Sequence, residues 1–135
     1  MSCIFCDILS GIRDSHILYE DADHVAFLDK YPIDLGHSLV VPKQHHERIT
    51  DMNSKAVGSL FSIIPKIANA ILKATEADAF SLGQNNGRAA KQIIPHVHVH
   101  IIPRYNHKGT IWTKRTISTD DELLILGKKI KNLLT

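Results

Sequence analysis

What this chain lacks narrows the field first. It has no concentrated charge of either sign: 16 Lys and Arg against 14 Asp and Glu leave a formal net charge of +2. That is too little for the basic face of a nucleic-acid binder, though no obstacle to a small anionic substrate. No apolar run approaches the roughly 20 residues needed to span a bilayer, so no membrane role is expected. The start, Met-Ser-Cys-Ile-Phe-Cys-Asp, lacks the basic n-region and long apolar stretch of a signal peptide. Only two cysteines are present. In the reducing, cytoplasmic setting these absences suggest, they are expected as thiols or metal ligands rather than a disulfide. There is no internal repeat, low-complexity tract or linker. With 44% apolar and 22% charged residues, positions 1–135 read as a single domain with enough chain to bury a core.

What is there centres on Pro95-His96-Val97-His98-Val99-His100-Ile101-Ile102-Pro103. Strand side chains alternate between faces, so the three imidazoles share one face and the β-branched residues share the other. The two prolines suit strand ends because proline cannot donate to a ladder. Three aligned imidazoles make poor core, since each buried ring nitrogen needs a partner. The pattern points to a site for an anion, a metal or both. A single histidine in a strand would carry no such weight.

The rest of the chain supplies a scaffold. Residues 16–19, 25–28, 37–41 and 80–83 read as short strands, with a polar turn at 20–23 and a Pro/Gly-punctuated loop at 29–36. Positions 57, 60, 61, 64, 67, 68, 71 and 72 place an apolar stripe on a helix over 54–75, and Pro65 should kink or divide it. Thr119-Asp120-Asp121-Glu122 has capping-box spacing for a last helix reaching about Leu134. Lys128, Lys129 and Lys131 near its end complement the helix dipole. Residues 105–115 read as irregular. Short turns between strands favour an antiparallel sheet with helices on one face, an α+β domain. The loop 84–92, rich in Asn and Gly, feeds the histidine strand and is placed to line whatever the imidazoles face. Cys3 and Cys6 allow three readings: a redox pair, two small buried residues, or half of a zinc site lacking its other ligands.

His96-Val97-His98-Val99-His100-Ile101-Ile102 resembles the His-φ-His-φ-His-φ-φ signature (φ apolar) of the histidine-triad (HIT) family. Cys3-x-x-Cys6, Phe27-Leu28-Asp29, Gly36-His37-Ser38-Leu39-Val40-Val41-Pro42-Lys43, Gln92 and Ile101-Ile102-Pro103-Arg104-Tyr105 extend the likeness over nearly the whole chain. It looks like the small prokaryotic-type zinc-containing members related to the Hint and Fhit branches. The resemblance implies a five-stranded antiparallel sheet with two helices, and a homodimer with a continuous ten-stranded sheet. It implies attack on the α-phosphate of a purine nucleoside phosphoramidate or dinucleoside polyphosphate through a covalent nucleotidyl-histidine, releasing AMP or GMP.

By the same resemblance His98 is the nucleophile, and His100, His37 and Gln92 complete the catalytic set. Asp29, Lys30, Asn85, Lys91, Gln92 and Ile93, with His98 and His100, bind the nucleotide. Structural zinc is held by Cys3, Cys6, His45 and His96. Two positions depart from the family pattern. Ile93 stands where the better-known hydrolases have Ser or Thr, and Lys91 replaces a common glycine. The missing hydroxyl at 93 favours slower turnover. It is the one feature that supports the alternative, a nucleotide-binding regulatory or scaffold protein. Trp112 resembles an aromatic that reaches the partner's active site in some members.

Overall fold

Alternating short segments pair into five strands: β1 (Ile17–Glu20), β2 (His24–Leu28), β3 (Ser38–Pro42), β4 (Ala79–Gly83) and β5 (Val99–Arg104). The computed structural model describes residues 3–135; Met1 and Ser2, at the head of the segment read above as free of a leader, lie outside the described residues. Every pairing is antiparallel, and the order across the sheet is β1-β2-β3-β5-β4. The α+β architecture expected from the sequence is the one present.

One sheet face carries Leu18, Ala26, Leu28, Val40, Val99 and Ile101. These join a single apolar cluster with the helices α2 (Ser54–Ser62), α3 (Ile64–Thr75) and α4 (Asp120–Leu134). Ile67, Ile71, Ile101 and Ile130 are fully buried there, each such side chain contributing roughly 1.5–3 kcal/mol relative to exposure. Pro65 divides the long helix as expected. It falls in the first turn of α3, where its missing N–H has no partner to lose. Over the combined segment an 18-residue window reaches a mean hydropathy of 1.3, long and apolar enough by composition to cross a membrane. No uninterrupted apolar run marks this window, because polar residues punctuate it. The break at Ile63 interrupts the segment, and its apolar stripe is covered by the sheet. Thr119 caps α4 in the expected reciprocal box with Glu122.

Four expectations are corrected. First, a short helix α1 (Ile4–Leu9) stands where only a Cys-x-x-Cys pair was read, and it begins where Cys3 Sγ accepts the Cys6 N–H. Its Phe5 and Ile8 cover Val25, Phe27, Leu39 and Val41 on the other sheet face, so helices flank both faces. The two helices the resemblance implied are therefore joined by α1, and the longer of them is two. Second, the histidine strand starts at Val99 rather than before His96. Upstream, Val97 N–H bonds the His46 carbonyl at 2.7 Å and His96 N–H turns back to Ile94 at 2.8 Å, so these amides serve loops and not a ladder. The alternation persists regardless, with Val97, Val99 and Ile101 all fully buried. Third, Pro103 does not end β5, because the β3 ladder stops at Ser38 opposite Ile101, beyond which one side of β5 has no strand to bond. Fourth, Pro42 is likewise the last residue of β3, not the residue after it.

Candidate active site and metal cluster

The hydrogen bonds around the three triad histidines and His37 fix which ring nitrogens carry protons. A carbonyl only accepts, so the 2.7 Å contact from His98 Nδ1 to the His96 carbonyl makes Nδ1 the protonated nitrogen. His98 Nε2 is then left with its lone pair. His37 Nδ1 accepts the Ile33 N–H at 3.0 Å, so the His37 proton lies on Nε2 and is donated to His100 Nδ1 at 2.8 Å. His100 in turn presents Nε2–H. One imidazole offering a lone pair thus stands beside one offering a proton, with ring centroids 4.9 Å apart. Burial pushes His37 and His100 down to about 3, helped for His37 by the Arg115 and Arg104 charges and for His100 by its histidine neighbours. Burial also lowers His98, against the opposing pull of the His96 carbonyl and Asp29. All three are neutral at pH 7, as a lone-pair donor must be.

Local sequence explains the placement. Gly36 has φ +102°, and a Cβ there would lie 2.7 Å from Thr75 Cγ2, so only glycine lets the chain enter β3 with His37 buried. Phe5 of α1 stacks edge-on against His98 with centroids 5.0 Å apart. Aromatic packing of that kind limits rotation of the ring.

The second cluster joins Cys3, Cys6, His45 and His96, whose ligand atoms all lie within 4.8 Å of one another. His96 Nε2–H donates to the Pro42 carbonyl at 2.8 Å, which leaves Nδ1 unprotonated and facing the thiols. Its separations are 3.5 Å to each Sγ and 3.1 Å to His45 Nδ1, and His45 Nδ1 lies 3.3 Å from Cys6 Sγ. A tetrahedral zinc with ordinary Zn–N and Zn–S bonds has ligand–ligand edges of about 3.3–3.8 Å. The Cys2His2 donor set and its spacing therefore fit a four-coordinate metal closed to substrate. In the chain alone, burial and then Cys3 hold the Cys6 thiol up at about 11, so a thiolate there calls for a cation at the centre. His96 is the joint between the clusters, its ring facing the thiols and its carbonyl holding His98.

The other residues singled out from the sequence divide. Asp29 Oδ2 lies 3.7 Å from His37 Nε2, and Asn85 shares a cavity with His100. Lys30 is exposed, its ammonium 5.9 Å from the Tyr31 ring centroid. The Gln92 amide is taken at both ends, accepting Gly87 N–H and donating to the Glu47 carbonyl, so it ties two loops together. Ile93 is 84% exposed, and with Gln92 it lines a separate surface cavity of about 390 Å³ beside Arg48 and Arg88. Lys91 has φ +65°, the left-handed conformation in which glycine is the natural occupant.

The sequence reading did not foresee the strap formed by residues 105–117. Arg104 Nη1 donates to the Ile111 carbonyl at 2.7 Å, and its guanidinium lies 4.9 Å over the Trp112 ring. Trp112 rests on Gly83, where a Cβ would come within 3.1 Å of Cζ3. Arg115 Nη1 bonds Asp29 Oδ2 at 2.7 Å and the Tyr31 carbonyl at 2.9 Å, and Thr116 N–H bonds Pro32 at 2.7 Å. Trp112 thus lies against the site of its own chain. No spacing or period marked Arg115, because the strap is irregular and its contacts are all long-range.

A five-stranded antiparallel sheet with three alternating histidines along the chain entering β5, the first of them in a Cys2His2 cluster, defines a class of small α+β proteins with a histidine site. The HIT domain model matches residues 11–107, and the chain belongs to the HIT family. It is 41% identical over 115 residues to the adenylylsulfatase HINT3 of Arabidopsis thaliana, covering 85% of this chain but only 58% of that relative's length. To the adenosine 5′-monophosphoramidase hnt1 of Schizosaccharomyces pombe it is 36% identical over 135 residues, covering 98% of each. The crystal structure of a Zn-bound histidine triad family protein from Mycobacterium smegmatis superposes with a TM-score of 0.89 at 32% identity, covering 99% of this chain and 94% of that one.

Proposed function

We propose that this protein is a single-domain nucleotide hydrolase or nucleotidyl transferase that attacks the α-phosphate of a purine nucleoside phosphoramidate or dinucleoside polyphosphate, using His98 Nε2 as nucleophile. The observation that carries this reading is the His98 Nδ1–H bond to the His96 carbonyl, which aims an unprotonated Nε2 away from the backbone. The names of the plant and yeast relatives support cleavage of a nucleotide derivative. His98 would form a bond to phosphorus as the leaving group departs with its electron pair. Water would then attack the phosphorus, and the P–N bond would break to release the nucleoside monophosphate. His100 Nε2–H, fixed by His37, and the Asn85 amide are the donors for the developing charge. Asp29 would take ribose hydroxyls.

The resemblance offers Lys30, Lys91, Gln92 and Ile93 as nucleotide contacts too, but the geometry supports them less. Lys30 is turned to Tyr31, the Gln92 amide is engaged within the chain, and Ile93 offers no donor. In this reading Cys3, Cys6, His45 and His96 hold a structural zinc, which would supply no step of the chemistry and would fix the strand entry that positions His98. The edge strand β4, with Phe80 and Leu82 exposed, is the surface on which a second copy would extend the sheet to ten strands.

The deciding experiment compares wild type with His98→Ala on adenosine 5′-phosphoramidate and diadenosine polyphosphates, following AMP release. Turnover by wild type and its near-abolition in the variant are expected. AMP bound tightly by both proteins, with neither substrate cleaved, would refute catalysis and leave a nucleotide-binding protein.

A further inference from the structure

Arg115 is the one cation of the strap that the structure delivers to the histidines. Asp29 Oδ2 and the Tyr31 carbonyl both hold it through Nη1, which leaves its remaining N–H groups for another acceptor. The same side chain lines a cavity of about 90 Å³ together with Asn85 and His100, walled by Ile33, Ile102 and Trp112. No carboxylate is among the residues lining it. The polar groups facing it are donors or able to donate: His100 Nε2–H, as the relay from His37 requires, the guanidinium, and the Asn85 amide. Among the described residues the Asn85 side chain has no hydrogen-bond partner of its own. The cavity has room for several waters or one small tetrahedral group.

A small, donor-lined space that holds a guanidinium beside His100, with the Asp29 carboxylate that offsets the guanidinium's charge outside its lining, has a specific chemical meaning. We propose that it is a subsite for an oxyanion leaving group, with Arg115 as its charged residue, and that it favours nucleoside 5′-phosphates joined through an anhydride oxygen to sulfate or phosphate over those joined to a neutral amine. The inference rests on His98 being the nucleophile. As the His98 Nε2–P bond forms, the bridging P–O bond breaks, and its electron pair stays on the departing sulfate or phosphate, which gains one negative charge. Arg115, His100 and Asn85 meet that charge with fixed donors. A departing amine must instead pick up a proton and gains no negative charge, so Arg115 has nothing extra to offer it. Binding that strengthens only as the bond breaks accelerates the step.

The test measures kcat/KM of wild type, Arg115→Ala and Arg115→Lys on adenosine 5′-phosphosulfate and adenosine 5′-phosphoramidate. The ratio of phosphosulfate to phosphoramidate kcat/KM should fall tenfold or more in Arg115→Ala. Arg115→Lys should lie between, since it keeps the charge but loses the planar fork. A strap that merely came loose would lower both substrates together, and an unchanged ratio overturns the proposal. If wild type cleaves neither substrate, the catalytic reading falls by itself and binding decides the subsite. Phosphosulfate held more tightly than AMP by wild type, with that margin lost in Arg115→Ala, supports it; no margin in wild type overturns it.

Discussion

Gly83→Ala isolates the strap from the rest of the fold. Gly83 lies in β4, where alanine is otherwise the better residue by roughly 0.5–1 kcal/mol. Its added methyl, however, would stand 3.1 Å from Trp112 Cζ3 and 3.8 Å from Cε3. Carbon atoms pack best at about 3.5–4.0 Å, and holding such overlap in place costs about 1–3 kcal/mol. The indole has an easier way out. It is already 51% exposed, and lifting it forfeits an exposed cation–π contact with Arg104 of about 0.5–1 kcal/mol. The side chain should therefore leave, while global stability changes by no more than about 1 kcal/mol, the gain in strand propensity offsetting the lost contact. Trp112 is the only tryptophan, so its fluorescence reports the strap alone. Acrylamide quenching should roughly double, and trypsin should cut after Lys114 and Arg115 faster than in wild type, while the urea midpoint stays put. Identical quenching and cleavage in the two proteins would refute the packing described for the strap.

Two further predictions follow from the buried histidines and the thiol cluster. Because folding holds His37 and His100 at about 3, against an ordinary value near 6.5, the unfolded chain binds more protons. Stability is therefore full above pH 6.5 and falls as pH drops towards 3, by about 1–2 kcal/mol per histidine between pH 7.5 and 5. Urea unfolding with a chelator present at both pH values measures this, and equal stabilities would contradict the buried neutral relay. The carboxyl of Asp21 does not interfere. Burial works to raise it, but hydrogen bonds from His24, Asp23 and Tyr19 hold it well below the usual carboxylate range. Freshly purified protein should carry close to one zinc per chain, and chelation should lower the melting temperature by about 10 °C, the equivalent of about 3 kcal/mol in a domain of this size. Cys6→Ser should melt low and ignore the chelator; metal-free protein with an unmoved melting point would remove the site.

The parts that were legible in the sequence share a local cause. Strand alternation, the apolar stripe over 54–75 and the Thr119–Glu122 cap are short-range patterns, and each produced the element expected of it, except that the histidine strand begins only at Val99. The three histidines fell on one side of the chain although the ladder begins only at Val99, because the facing apolar residues are locked in the core. What escaped was set by contacts distant in sequence. Helix α1 is six residues long, too brief for a periodic signal, and it is held by packing on β2 and β3. Gln92 looked like a free amide until two loops closed on it. Arg115 sits 86 residues from the carboxylate it pairs with, and nothing in its neighbourhood announces that partner.

His96 shows how two functions can be carried by one residue without sharing an atom. Its imidazole belongs to the thiol cluster and its carbonyl to His98. A side-chain substitution at position 96 removes the first and leaves the second chemically intact, so any catalytic defect it produces measures how far the backbone drifts. The hydrogen bond that orients the His98 ring is consequently protected from side-chain substitution at the residue that accepts it. A substitution at position 96 can break it only by moving the main chain.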